Sequence, residues 1–278
     1  MRASRAIGFV TLLAGCSTLA PRRPPDPPRP GREFSHVRLD RVLERFVDDQ
    51  GKVDYPALTA APAELEAYYA EVVARSPDSD PDGFPTEDAR LAYWINAYNA
   101  GVLVAIVRRY PLASVRDVFP PLLGFFVLQR LRLGGQSISL RALETEVVRH
   151  RFADPRVHFA LNCGSRGCPR LPRHAFTATN LQTELDREAR RFVGEERNVH
   201  VDLERRVVTL SSIFDWYADD FTSWIRRHRP DLAATVRSYI RIHADDGVGR
   251  RLDACPACRV EFAPYDWRLN DQVVEVVR

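Results

Sequence analysis

Apolar positions along this chain fall into blocks of different period, and each period predicts an element. Val37, Leu39, Val42, Leu43, Phe46 and Val47 recur at the spacing of one helix face, which predicts a helix over residues 36–47. Asp49-Gln50-Gly51 then turns the chain, and Lys52-Val53-Asp54-Tyr55 reads as a short strand. A second amphipathic helix is predicted over 63–74, closed by Pro77 and a loop of Asp, Ser and Pro residues through Pro85. The strongest signal spans 87–109. Thr86 supplies an N-cap, Glu87 and Asp88 sit at the positive end of the helix dipole, and Arg108-Arg109 sit at the negative end before Pro111. Leu91, Trp94, Ile95, Tyr98, Leu103, Val104, Ile106 and Val107 leave that helix apolar nearly all round, so it should be central and buried.

Downstream, an apolar segment over 119–128 leads to a predicted hairpin, 131–133 with 137–139, around Gly134-Gly135. A helix follows over 140–150. Residues 156–161 read as a buried strand that enters a cysteine-bearing loop. After Pro172 the pattern predicts a helix over 179–193, short strands near 199–203 and 206–210, helices within 212–221 and 232–240, and a strand over 260–264. The sum is one α+β domain over 34–278, with a central buried helix packed on a small, mostly antiparallel sheet. No internal repeat and no second hydrophobic stretch marks a further domain.

The N-terminus adds an address. Arg2 and Arg5 precede an apolar run over 6–13, Ala14-Gly15 supply small residues, and Cys16 follows. This order resembles the lipobox of bacterial lipoproteins. That resemblance implies a signal peptide over 1–15, cleavage before Cys16, and acylation of the cysteine's thiol and freed amine, with an ordinary secretory signal as the plainer alternative. The run is too short to span a bilayer. Ser17 after the cysteine implies, by the enterobacterial sorting rule, an outer-membrane lipoprotein facing the periplasm, with the membrane as its partner through the lipid. Pro21, Pro24, Pro25, Pro27, Pro28 and Pro30, with interspersed arginines, predict an extended, solvated tether over 16–33.

Composition narrows the function classes. The 278 residues are 45% hydrophobic and 28% charged, which describes an ordinary globule with a real core. The formal charge of +3 comes from 40 basic and 37 acidic residues, and loss of Arg2 and Arg5 leaves 38 against 37, or +1. Acids are interleaved among the arginines, so no nucleic-acid partner is expected. Beyond Cys16 the cysteines form two close pairs, Cys163/Cys168 and Cys255/Cys258. In a cytosolic chain such pairs would suggest zinc. Export favours disulfides instead, so neither a metal nor a cofactor is expected. Cys255-Pro-Ala-Cys258 looks like a redox motif but does not open a helix after a buried strand.

Several stretches together resemble the domain-of-unknown-function family 547 of bacteria and plants. They are Gly51-Lys52-Val53-Asp54-Tyr55, Tyr93-Trp94-Ile95-Asn96-Ala97-Tyr98-Asn99-Ala100, His158-Phe159-Ala160-Leu161-Asn162-Cys163-Gly164 with Cys168-Pro169, Phe214-Asp215-Trp216-Tyr217 with Asp220-Phe221, and Tyr265-Asp266-Trp267-Arg268-Leu269-Asn270. They follow the family's order over about 34–278. The family has no agreed activity, so the resemblance implies kinship without a reaction. Members often carry Ile-Glu-His before an arginine; here Leu143-Glu144-Thr145 and Arg149 match in part, with Thr145 where a histidine is common.

Two readings of the chemistry stand side by side. In the first, the chain is a thiol-dependent hydrolase or acyltransferase acting on an amide or ester. Cys163 is the nucleophile, His158 the base with His174 as alternative, and Asn96 or Asn99 orients the imidazole. Asn162 lines the same pocket, and backbone amides near Gly164 and Ser165 form an oxyanion site. In the second, Cys163 and Cys168 form a loop disulfide, His158 is a hydrogen-bonded core residue, Asn96 and Asn99 tie their helix to a neighbouring loop, and the chain is a non-catalytic module that binds a cell-wall or envelope-protein partner. The order of helix then strand is weakly similar to papain and transglutaminase cores, where the nucleophilic cysteine opens the helix; residues 87–96 contain none. Glu144 and Arg149 read as a solvated or loop-bridging charge pair, with a catalytic carboxylate as the alternative. The two aromatic motifs, Phe214-Asp215-Trp216-Tyr217 and Tyr265-Asp266-Trp267, read as packing at the core edge, each Asp bonding nearby backbone, with an aromatic groove for a glycan or peptide as the alternative.

Overall fold

The structure is a computed structural model that describes residues 18–24 and 32–272. The signal segment over 1–15 and the anchor Cys16 lie outside the described residues. Helix α1 (Val37–Phe46) buries Leu39, Val42, Leu43 and Phe46, as its stripe predicts. The strand expected at 52–55 shrinks to Val53, which bridges Val47 and Asp271. Asp54 accepts the Ala57 N–H and Pro56 sits in the first turn, and together they start helix α2 (Tyr55–Ala60) instead. Helix α3 (Ala63–Ala74) follows.

Helix α4 (Glu87–Val107) is capped by Thr86, whose hydroxyl accepts the Ala89 N–H at 3.1 Å. All residues from Leu91 to Val107 are buried. Its main packing partners are α2, α3 and later helical segments, and Leu131 of the hairpin that follows lies against Gly101. Strands β1 (Arg130–Leu133) and β2 (Gln136–Ser139) form the expected antiparallel hairpin, turned by Gly134 and Gly135 at φ +53° and +82°. Two π-helical segments flank it, Gly124–Leu128 and Leu143–Arg149.

Residues 156–161 are not a strand. Asp154 accepts the Arg156 N–H and Pro155 opens a 3-10 helix, Pro155–Phe159, so His158 and Asn162 share no strand face. Val157, His158, Phe159 and Ala160 are all buried, and a run buried throughout shows no helical or strand period to tell the two apart.

Beyond helix Leu181–Gly194 the second sheet joins β3 (Val199–Asp202), β4 (Val207–Ser211) and β5 (Arg259–Ala263). β3 pairs antiparallel with β4, and β5 pairs parallel with β4, Leu210 lying opposite both Val199 and Phe262. Helices Ser212–Trp216, Ala218–His228, Val236–His243 and Asp246–Asp253 complete a single α+β domain. Its interior divides into a cluster around α1–α4 and the hairpin, and a second around Phe159, Phe192, Phe214, Phe221, Tyr239 and the three-stranded sheet.

Two peripheral segments are tied down. The expected tether is not solvated throughout: Leu19 is buried, its N–H donates to Arg130 O at 2.8 Å, and its carbonyl accepts the Tyr69 hydroxyl at 2.9 Å. At the other end, residues 265–271 form a strap across the molecule. Arg166 N–H donates to Arg268 O, Asn270 N–H to Gly164 O, and Val53 N–H to Asn270 O. That strap carries Tyr265 and Trp267 to the loop between Cys163 and Cys168. Among the described residues no helix is long and apolar enough to cross a membrane.

Candidate functional site

A cleft of about 580 Å³ opens where the turn bearing His158, the π-helix bearing Glu144 and Arg149, the helix pair bearing Tyr217 and Asp220, and the strap meet. A π-helix has wider turns than an α-helix, so residues five apart lie on one face. Glu144 and Arg149 therefore both reach Tyr217. Its hydroxyl donates to Glu144 Oε1 at 2.5 Å, and the Arg149 guanidinium lies 4.9 Å from its ring centroid. The pairing expected between Glu144 and Arg149 is replaced by separate partners. Arg149 donates to both Asp220 oxygens, at 2.7 and 3.1 Å.

His158 completes the polar group. Its Nε2 lies 2.8 Å from Asp220 Oδ2, and its ring stacks on Tyr217 with centroids 3.9 Å apart. Burial raises the Asp220 pKa, but hydrogen bonds and charge from His158 and Arg149 outweigh it and hold the carboxyl well below the usual range. Burial, then the Glu144 charge and the hydrogen bond to it, push the Tyr217 hydroxyl well above the ordinary tyrosine value, so it stays a donor.

The three candidate amides do other work. Asn96 is clamped to the Phe176 backbone, accepting its N–H at 3.2 Å and donating to its carbonyl at 2.7 Å. Asn99 donates to Ala160 O at 3.0 Å and accepts the Asn162 N–H at 2.9 Å. Asn162 accepts the Gly164 N–H and donates to Pro169 O, both at 2.8 Å. None of them bonds His158; together they shape the loop that follows it. Because Gly164 spends its N–H on Asn162, that amide is not available to an oxyanion. Gly164 itself has φ +84°, and a Cβ there would meet Ile106 at 2.5 Å, so the loop needs glycine at this point.

Cys163 and Cys168 are joined in a disulfide that borders the cleft. Cys168 is buried and Cys163 partly exposed. Cys255 and Cys258 form a second disulfide in the other core cluster, so the two pairs are bridged separately. His174 is held by Glu184 at 2.5 Å and by Arg187, and is not part of the cleft wall. Among the described residues no three His, Cys, Asp or Glu side chains are grouped to hold a metal ion.

The wall of the cleft is aromatic. Tyr265 lies 4.8 Å from Trp216 and 4.6 Å from Trp267, and Leu122 and Leu123 add partly exposed aliphatic surface. Trp216 is 48% exposed, so it forms wall and not core edge. Asp266 accepts the Arg268 N–H as expected, while Asp215 is exposed.

One segment of this arrangement is shared beyond the present chain. Residues 82–193 match the family model of DUF547, proteins of unknown function. No curated protein and no solved structure matches the chain. The DUF547 segment contains α4, the hairpin, both π-helical segments and the disulfide loop, and so contributes Glu144, Arg149, His158, Cys163 and Cys168 to the cleft. Tyr217, Asp220, Tyr265 and Trp267 come from outside the matched residues. The sequence marks their motifs but not their place beside His158, and the five-residue step from Glu144 to Arg149 gains its meaning only from the π-helix.

Proposed function

We propose that this chain is an exported envelope protein, anchored in the outer membrane by lipid on Cys16, whose cleft binds a cell-wall fragment without thiol attack. The observation that carries this reading is the disulfide: the sulfur that would act as nucleophile is bonded to Cys168 at the cleft. What remains combines a half-exposed aromatic wall with ionic groups, a composition suited to recognition. Glu144 commits Oε1 to Tyr217 and keeps its second oxygen for a ligand amine, as in the peptide part of a cell-wall fragment.

On the purified, unreduced domain, thiol titration should find no free thiol. Cys163→Ser should then cost about 2 kcal/mol of stability, because it removes the constraint of a short bridged loop. Tryptophan fluorescence should change on adding soluble peptidoglycan fragments, and Trp216→Ala should weaken that binding by about tenfold or more. Fluorescence that is indifferent to the fragments, with both bridges intact, would leave an envelope protein as the fitting partner. A second reading, the thiol-dependent hydrolase or acyltransferase, is favoured by Cys163 and His158 bordering one cleft. Its signature is a free Cys163 that reacts rapidly with iodoacetamide near neutral pH, with Cys163→Ser abolishing turnover and sparing stability.

A further inference from the structure

The two sulfurs at the cleft floor are not equivalent. Cys168 is 4% exposed, and two donors point at its sulfur: the Cys163 N–H at 2.9 Å and the Tyr265 hydroxyl at 3.0 Å. Cys163 is partly exposed, and the same Tyr265 hydroxyl lies 3.2 Å from its sulfur, a little farther than from Cys168, so the Cys163 N–H is the donor that Cys168 alone receives. Hydrogen bonds to a sulfur favour its thiolate, and a stabilised thiolate is the better leaving group in disulfide exchange. Burial, then the Glu144 charge, keep the Tyr265 hydroxyl protonated far above neutral pH, so that donor persists. Attack from the cleft on the more accessible sulfur would therefore expel the sulfur already provided with donors.

We propose that the cleft is a thiol–disulfide exchange site that oxidises a ligand carrying two thiols. The ligand's first thiolate attacks Cys163 Sγ; the Cys163–Cys168 bond breaks, a mixed disulfide forms on Cys163, and Cys168 leaves as a thiolate that takes up a proton. The ligand's second thiolate then attacks the ligand sulfur of the mixed disulfide. That closes a disulfide within the ligand and releases Cys163 as a thiolate. Two electrons pass from the ligand to the protein pair, and an external disulfide compound restores the bridge by the reverse steps. The inference rests on the reading that the pair is bridged in the exported protein. Cys255–Cys258, with both residues buried in the second cluster, serves as an internal comparison.

The test uses the full domain with both bridges, exposed to reduced glutathione, quenched with acid and mapped by mass spectrometry. A glutathione adduct on Cys163 should form while Cys255–Cys258 stays closed, and Cys168→Ser treated with oxidised glutathione should accumulate the same adduct on Cys163. Tyr265→Phe should slow the opening roughly tenfold, since it removes one hydrogen bond to a developing thiolate, with an unchanged circular dichroism spectrum. Opening no faster than at Cys255–Cys258, an adduct on Cys168, or a Tyr265→Phe rate equal to the parent's would each overturn the exchange while leaving the bridged binding cleft intact. Free thiols before any reductant would instead overturn the bridged reading, and this inference with it.

Discussion

Replacing Phe159 by alanine should lower the unfolding free energy by about 3–5 kcal/mol, the largest loss expected from a single truncation in this chain. Phe159 is fully buried at the end of the 3-10 turn, with ring centroids of Phe192, Phe214, Phe221 and Tyr239 at 4.8, 5.9, 5.8 and 6.4 Å. Those rings stand on separate helices, so they cannot all slide into the space that alanine leaves, and the cavity persists. Tilted and stacked ring contacts are lost as well. Urea unfolding measures the free energy, and the melting temperature should drop by roughly 2–4 °C for each kcal/mol. The effect should reach the cleft, because His158 is the neighbouring residue and is 2.8 Å from Asp220. A loss below about 1 kcal/mol would mean that the cluster closes over the gap and that its packing is not as rigid as the ring geometry implies.

The same residue explains what the sequence left hidden. The stripe of α1 and the capped, apolar α4 were legible because local period and caps decide them, whereas α3, expected to be amphipathic, is buried without a break from Leu65 to Ala70. The run over 157–160 was not, because it is pressed between two cores: Val157 and Ala160 face the first cluster and Phe159 the second. A run buried on all sides reads as a strand, and only Asp154-Pro155 marked a helical start. Leu19 sat among prolines and arginines, and its burial depends on the edge of β1 at Arg130, far along the chain.

The site was half legible. His158 and Cys163 stood out by chemistry, and the single α+β domain followed from the pattern. Asn96 and Asn99 carry two sequence readings, orienting the imidazole or tying α4 to a neighbouring loop, and the structure has the second, with backbone partners at Phe176 and Ala160; Asn162 likewise bonds backbone, at Pro169. Glu144 and Arg149 were obscured by an α-helical reading of a π-helix. Asp220 and Tyr265 enter through contacts 62 and 102 residues distant from His158 and Cys163, distances over which only packing can join them.

Stability should fall as the pH drops below about 6.5, in two stages. His36 is buried with Nδ1 2.8 Å from the Tyr68 hydroxyl, and burial lowers its pKa to about 3. His243 is lowered to about 4, again chiefly by burial, and its Nε2 is buried with no partner among the described residues. In the unfolded chain both should titrate near 6.5. Between those values the unfolded state binds protons that the folded state refuses, so each histidine contributes stability that is complete above pH 6.5 and declines until its folded pKa is reached. Two such groups make this an effect of a few kcal/mol. The Asp220 carboxyl adds the second stage, because His158 and Arg149 keep it ionised in the fold while the unfolded carboxyl protonates near 3.9; its contribution is present above that value and lost below it. Urea midpoints at pH 7.5, 5.5 and 4.5 should decrease in that order. His36→Gln and His243→Gln should each start lower at pH 7.5 yet show a shallower decline to pH 4.5. A parent profile flat from 7.5 to 4.5 would mean that these imidazoles gain protons within the fold, and hence that the packing around Tyr68 and Tyr239 admits water.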